Sequence, residues 1–208
     1  MDGIINFPLF LISSMIIIIA PGPDFIYVTT RGITEGNKAG VLSAFGISTG
    51  LLIHTLFAAF GLSAIIQASR TAYLIIKYIG AGYLVYLGLR MLIKKNGTAK
   101  SKITIENKKR NIFRQGIITN VFNPKAIVTF MAFLPQFADI QTSRPILQFT
   151  SLGLILSLMA MIWFGTVGYF AGTFGALIRK SKTIQNRIKY ISGSIMIALG
   201  LRLVLKKD

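Results

Sequence analysis

Two proline-containing stretches put charge into otherwise apolar sequence. Pro21-Gly22-Pro23-Asp24 interrupts the run from Ile4 to Val28, and Asn123-Pro124-Lys125 interrupts the run from Gly116 to Phe137. Proline removes a helical donor and clashes with the preceding turn, so each stretch must break or kink its helix. A charge inside a bilayer is costly, and where one persists it marks a substrate, ion or proton path. Broken helices with polar groups at the break are how secondary transporters build solute sites. Pro21, Gly22, Pro23, Asp24, Asn123, Pro124 and Lys125 are therefore the candidate site for a substrate or a coupling ion. Bland roles are open to them too. Asp24 and Asn123 suit the caps of the half-helices that follow, and Lys125 can snorkel to the membrane surface. Asp24 is the only acid within an apolar run; Asp2, Glu35, Glu106, Asp139 and Asp208 fall in connections or at ends. An unpartnered lysine at that depth is costly, so an interaction of Lys125 with Asp24, direct or through water, is expected; it could equally be a structural ion pair.

His54 is the only histidine, one helical turn beyond Gly50. It serves either as a proton relay or as a hydrogen-bonding contact to a neighbouring helix. There is no cysteine, which excludes disulfide staples and membrane thiol relays. One histidine, no cysteine and no GxSxG elbow leave few catalytic combinations, a hydrolase pairing His54 with a nearby serine being the remaining one. No enzyme activity, metal site or cofactor is expected.

These residues need elements to position them, and composition says which. The 208 residues are 53% apolar and only 14% charged, against about 25% charged in soluble domains. A span needs about 20 apolar residues. Six candidates are present: Ile4–Val28, Val41–Ile66, Ala72–Ile93, Gly116–Phe137, Ile146–Ile178 and Ile188–Leu205. The connections are short, so an all-helical membrane protein of one domain, residues 1–208, is predicted. No Lys or Arg precedes Arg31, so the first span lacks the basic start of a cleavable signal peptide. Net charge is +17, with eight basic residues in Lys94–Arg114, five in Arg179–Lys189, and Arg31 and Lys38 in the first connection. The positive-inside rule places these odd-numbered connections in the cytoplasm and both termini outside. They should lie against anionic lipid rather than nucleic acid.

The third and sixth spans repeat each other. Tyr78, Leu87, Gly88, Leu89, Arg90, Lys94 and Lys95 recur as Tyr190, Leu199, Gly200, Leu201, Arg202, Lys206 and Lys207 at one offset of 112. Two halves, roughly 1–95 and 112–208, joined by the basic connection 94–114, would then hold three spans each. An odd number per half inserts them in opposite directions, as in inverted-repeat transporters, with helices one and four both broken. Gly46 and Gly50 form a GxxxG face. Gly165, Gly168, Gly172 and Gly175 form a ladder, and Gly88 and Gly200 are repeat-related. All are candidates for close helix packing.

The motifs taken in order resemble the lysine/threonine exporter family of bacterial membrane proteins, the LysE/RhtB type. They are Ala20-Pro21-Gly22-Pro23-Asp24, the Gly46…Gly50…Gly61-Leu62 spacing, Gly80-Ala81-Gly82-Tyr83-Leu84 with Gly88, and Asn123-Pro124-Lys125-Ala126. The likeness covers essentially the whole chain. It implies a multi-pass protein of the bacterial cytoplasmic membrane that exports amino acids or close derivatives, driven by protons, with Asp24 and Asn123–Lys125 as functional positions. It leaves the substrate open among basic, neutral and lactone-type solutes, and oligomeric state open, a homo-oligomer included. Against it stand a channel or structural membrane subunit, and, further off, the intramembrane hydrolase.

Overall fold

The computed structural model describes residues 4–93, 109–139, 144–171 and 182–205. The described residues are all helical apart from turns and one isolated bridge between Ile4 and Ala138. Helix α1 runs Phe7–Ile19 and α2 runs Pro23–Glu35. They meet at 55°. The cause is local. Ala20 and Gly22 are extended, Pro23 opens α2, and neither Pro21 nor Pro23 can donate to a continuing ladder. Further on, α6 (Lys109–Val121) and α7 (Pro124–Val128) repeat the break, and the bend there is 51°. The Asn123 side chain caps α7 by accepting from the Lys125 amide at 3.0 Å. Beyond α7 the helix loosens to a π turn over Thr129–Phe133 and tightens to a 3₁₀ turn over Leu134–Phe137. Pro135 lies in that tight turn and deprives the α ladder of a donor.

The unbroken helices are α3 (Asn37–Leu56), which continues through a π turn into α4 (Ser63–Ala68), then α5 (Arg70–Ile93), α8 (Pro145–Tyr169) and α9 (Lys182–Leu205). Among the described residues three stretches, Asn37–Ile65, Arg70–Arg90 and Pro145–Tyr169, are long and apolar enough to cross a membrane, and the count rises to five if each bent pair is one span. Their outward faces carry exposed Ile12, Phe57, Phe60, Leu158 and Ile162, the apolar coat a bilayer requires.

Several expected boundaries move. The sixth apolar run was expected from Ile188, but α9 already begins at Lys182, so Lys182, Arg187 and Lys189 are helical. Those charges dilute its apolar character, and it falls outside the membrane-length helices. The fifth run was expected to reach Ile178; α8 ends at Tyr169, and 172–181 lie outside the described residues, as do Gly172 and Gly175. Residues 94–108 of the basic connection lie outside them too, while Lys109–Arg114 form the first turn and a half of α6 rather than a loop.

Packing runs through glycine. Helix α3 lies along both α8 and α6, and α5 along α9. A Cβ on Gly168 would sit 2.5 Å from the backbone of Gly40, one on Gly153 2.5 Å from Thr55, and one on Gly46 3.0 Å from the Cα of Gly116. Gly165 meets only Met161 of its own helix, at 3.8 Å, so it does not share the close approach of Gly168. In the α5–α9 pair, Gly88 abuts Gly193 and Ile197, while Gly200 abuts Ala81 and Val85. The offset of 112 carries Gly88, Ala81 and Val85 onto Gly200, Gly193 and Ile197. The two contacts are thus one contact made twice, between antiparallel helices. Gly168→Val should push α3 from α8 and lower the thermal unfolding midpoint in detergent, by the equivalent of about 1–3 kcal/mol. An unchanged midpoint would show that the helices separate without cost.

Candidate functional site

Asp24 stands in the first turn of α2, where the helix dipole favours an anion. Its Oδ2 accepts from Nδ2 of Asn120 at 3.0 Å, and Asn120 is in the last turn of α6. Lys125 stands in the first turn of α7. Its Nζ donates to the carbonyl of Ala20, at the C-terminal end of α1, at 2.7 Å. A cation suits that end, which has carbonyls left over. The two bonds are reciprocal. The charge at each break reaches across to the end of the first helix of the other break, so each bent pair braces the other.

Asp24 and Lys125 form no direct ion pair. They face one narrow cavity instead, with room for water-sized molecules. Its remaining lining is Ile17, Ile18, Leu51, Ala126, Thr129, Leu156, Ala160 and Phe164. The site therefore has one acidic group, one basic group and an apolar wall drawn from α1, α3, α7 and α8. Oδ1 of Asp24 and Nδ2 of Asn123 are both buried and make no hydrogen bond of normal length, and the Asn123 side chain lies near enough to the carboxylate to interact with it. A buried polar atom left unpaired costs about 1–3 kcal/mol, so each is a place where a ligand or water gains by binding. An acceptor beside an acid and a donor beside a base complement the two ends of a zwitterion.

Residues 15–207 match the family model of the LysE type translocators. The chain belongs to that family. Members are transporters and not enzymes, and the broken helices, the membrane-length helices and the charged cavity are of one piece with that. Among curated relatives, a membrane protein of Bacillus subtilis (strain 168), YrhP, is 32% identical over 92% of this chain and 94% of its own length. A membrane protein of Vibrio cholerae serotype O1 is 29% identical over 95% of this chain and 96% of its own length. A leucine efflux protein of Enterobacter sp. (strain 638) is 30% identical over 86% of this chain and 85% of its own length. No solved structure matches significantly.

In this LysE-type chain, the cavity gathers Asp24 and Lys125, with Asn123 capping the turn beside them. Pro21, Gly22, Pro23 and Pro124 shape the two breaks; a Cβ on Gly22 would meet the Lys125 side chain at 3.4 Å, so glycine lets that side chain pass. His54 is buried and does not line the cavity. Its Nε2 lies 3.3 Å from the carbonyl of Asn120 and its ring stacks on Phe130, with centroids 5.4 Å apart. That contact fixes the ring; a backbone carbonyl has no proton of its own to hand on to Asp24.

Two features escaped sequence reasoning. The first is Asn120, wholly buried and bonded to Asp24. The second is Arg31, which the charge pattern assigns to a cytoplasmic connection. It is instead wholly buried in α2, because the helix continues past Val28 to Glu35. Its guanidinium bonds Glu35 one turn on and Gln115 of α6, and lies 5.6 Å from the Tyr27 ring centre. The Tyr27 hydroxyl donates to the carbonyl of Ile112 at 2.6 Å. Glu35 is likewise a partly buried ion partner at the end of α2 and not a free loop acid. The signal available in sequence was the i,i+4 spacing of Arg31 and Glu35.

Proposed function

We propose that this translocator exports neutral aliphatic amino acids from the cytoplasm across the cytoplasmic membrane, coupled to the proton gradient. The observation that carries the reading is the cavity: one carboxylate, one ammonium, the Thr129 hydroxyl already given to the Lys125 carbonyl, and otherwise an aliphatic and aromatic wall. The cavity is water-sized in this conformation and must widen for an amino acid; the substrate ammonium then goes to Asp24 and its carboxylate to Lys125 and Asn123, while Ile17, Ile18, Leu51, Leu156 and Phe164 receive the side chain. A basic amino acid would bring a second ammonium, and the lining offers no second acid for it. The leucine efflux protein among the relatives agrees with this choice. Proton coupling falls to Asp24, the one acid at the site, which can hold either a proton or a substrate ammonium but not both.

The whole chain acts as one domain, built from the halves 1–95 and 112–208. The reciprocal glycine contacts of α5 and α9 support the repeat. So does the sharing of a bend at α1–α2 and α6–α7. An antiparallel pair of repeat-related helices has its two-fold axis across the helices, hence in the membrane plane, as inverted halves require. On this plan α9 is the sixth span, covered on one side by α5.

Reconstituted protein should show counterflow of labelled leucine that excess unlabelled leucine drives and lysine does not. Equal flux of leucine and lysine would overturn the substrate reading. Flux without counterflow would make the protein a channel. The cytoplasmic placement of the first connection and of the basic one, which would lie on anionic lipid, is tested by Lys38→Cys and Ser101→Cys in this cysteine-free chain. Both should resist impermeant thiol reagents in intact cells and react in inverted vesicles. Labelling from outside would reverse the orientation.

A further inference from the structure

We propose that Asn120 is a positioning residue of the solute site, holding the Asp24 carboxylate so that only its Oδ1 is left for the substrate ammonium, and that Gly50 exists to admit it. This deepens the exporter reading and rests on it. The Asn120 side chain is completely buried, and its Nδ2 donates to Oδ2 of Asp24 at 3.0 Å. Its backbone is pinned as well. The carbonyl accepts from the Asn123 amide at 2.9 Å and lies 3.3 Å from His54 Nε2. The residue therefore has little freedom, and what it fixes is the carboxylate. One Asp24 oxygen is held by Asn120; the other is buried and makes no hydrogen bond of normal length, with only the Asn123 side chain near the carboxylate. A carboxylate held by one oxygen presents the second in a defined direction, which is what recognition of a compact ammonium needs.

Gly50 completes the arrangement. A Cβ there would fall 2.7 Å from both Cβ and Oδ1 of Asn120, inside any real contact distance. Alanine at 50 would have to displace the Asn120 side chain, and α3 is too well packed against α6 to give way. Two distant substitutions, one on each side of this contact, should thus have the same effect on transport. A structural role alone predicts loss of folded protein. A positioning role predicts folded protein that binds its substrate poorly.

The experiment measures labelled leucine transport in proteoliposomes, with KM and maximal rate separated, for wild type, Asn120→Leu, Asn120→Asp and Gly50→Ala. Leucine is near the size of asparagine and cannot donate. Asn120→Leu and Gly50→Ala should each raise KM about tenfold, the order expected for losing one hydrogen bond to a charged group. Asn120→Asp keeps the shape, and in its protonated form can still donate to Asp24, so it should recover transport at low pH only. A wild-type KM in Asn120→Leu, with Asp24→Asn inactive, would overturn this inference and leave the exporter reading standing. An Asn120→Leu protein that fails to fold is replaced by Gly50→Ala, whose wild-type KM would overturn it equally. A wild type that moves no leucine would overturn the substrate reading and this inference together.

Discussion

Asp24→Asn is expected to abolish counterflow, by a factor of about 100 or more, while the protein still inserts and folds. The carboxamide is the shape of the carboxylate and can still accept from Asn120, so the break between α1 and α2 keeps its geometry. The variant strands the Lys125 ammonium without its counter-charge, which costs some stability, but Lys125 keeps its bond to the Ala20 carbonyl and the fold persists. What is lost is the negative oxygen offered to the cavity. A charge-assisted hydrogen bond is worth about 1.5–3 kcal/mol, and every 1.4 kcal/mol is about tenfold in binding. Loss of the protonatable group removes the coupling as well, so the two effects compound. Folding is followed through thermal unfolding of the variant by the fluorescence of Trp163, the single tryptophan. Near-normal counterflow from a folded Asn variant would reduce Asp24 to the cap of α2.

The two helix breaks were legible because proline acts locally. No tertiary contact is needed to know that Pro21, Pro23 and Pro124 end a hydrogen-bond ladder. The same holds for glycine spacing: Gly46 and Gly50, and the matched Gly88 and Gly200, declare a face before its partner is known. Partners were another matter. Nothing in the apolar run around Asn120 says that Asp24, 96 positions earlier, bonds it. The expected interaction of Asp24 with Lys125, direct or through water, named the two charges that share the cavity but not the helix ends that hold them. In the fold Lys125 donates to the Ala20 carbonyl left over at the end of α1, and Asp24 accepts from the Asn120 side chain at the end of α6. Arg31 was misplaced for a related reason. Hydropathy treats a charge as the end of a span, whereas Glu35 neutralises this one and Glu35 and Gln115 take up its two terminal nitrogens inside the protein. Lys77, buried within α5, was overlooked for the opposite reason: its apolar neighbours carried the expected run Ala72–Ile93 straight across it.

Neutralising Lys125 tests whether the two charges still act as a pair across the cavity. Lys125→Met should also abolish transport, since the substrate carboxylate loses its cation. It should lower stability more than Asp24→Asn does, because two things are lost at once. The carbonyl of Ala20 loses its donor, and Asp24 becomes an uncompensated charge in low dielectric. Breaking a buried pair costs about 3–5 kcal/mol, whereas removing both members can be nearly neutral. The double variant Asp24→Asn with Lys125→Met should therefore regain part of the stability lost in Lys125→Met, without regaining transport. It should not regain all of it, since the Ala20 carbonyl stays unpaired. The coupling between the two sites in thermal unfolding should exceed about 1 kcal/mol, because opposite charges lining one narrow cavity interact without touching. Strictly additive losses would mean that each charge is compensated within its own helix break. Lys125 would then serve as the cap of α1 and as a contact for the substrate carboxylate, with no electrostatic link to Asp24 until a zwitterion bridges them.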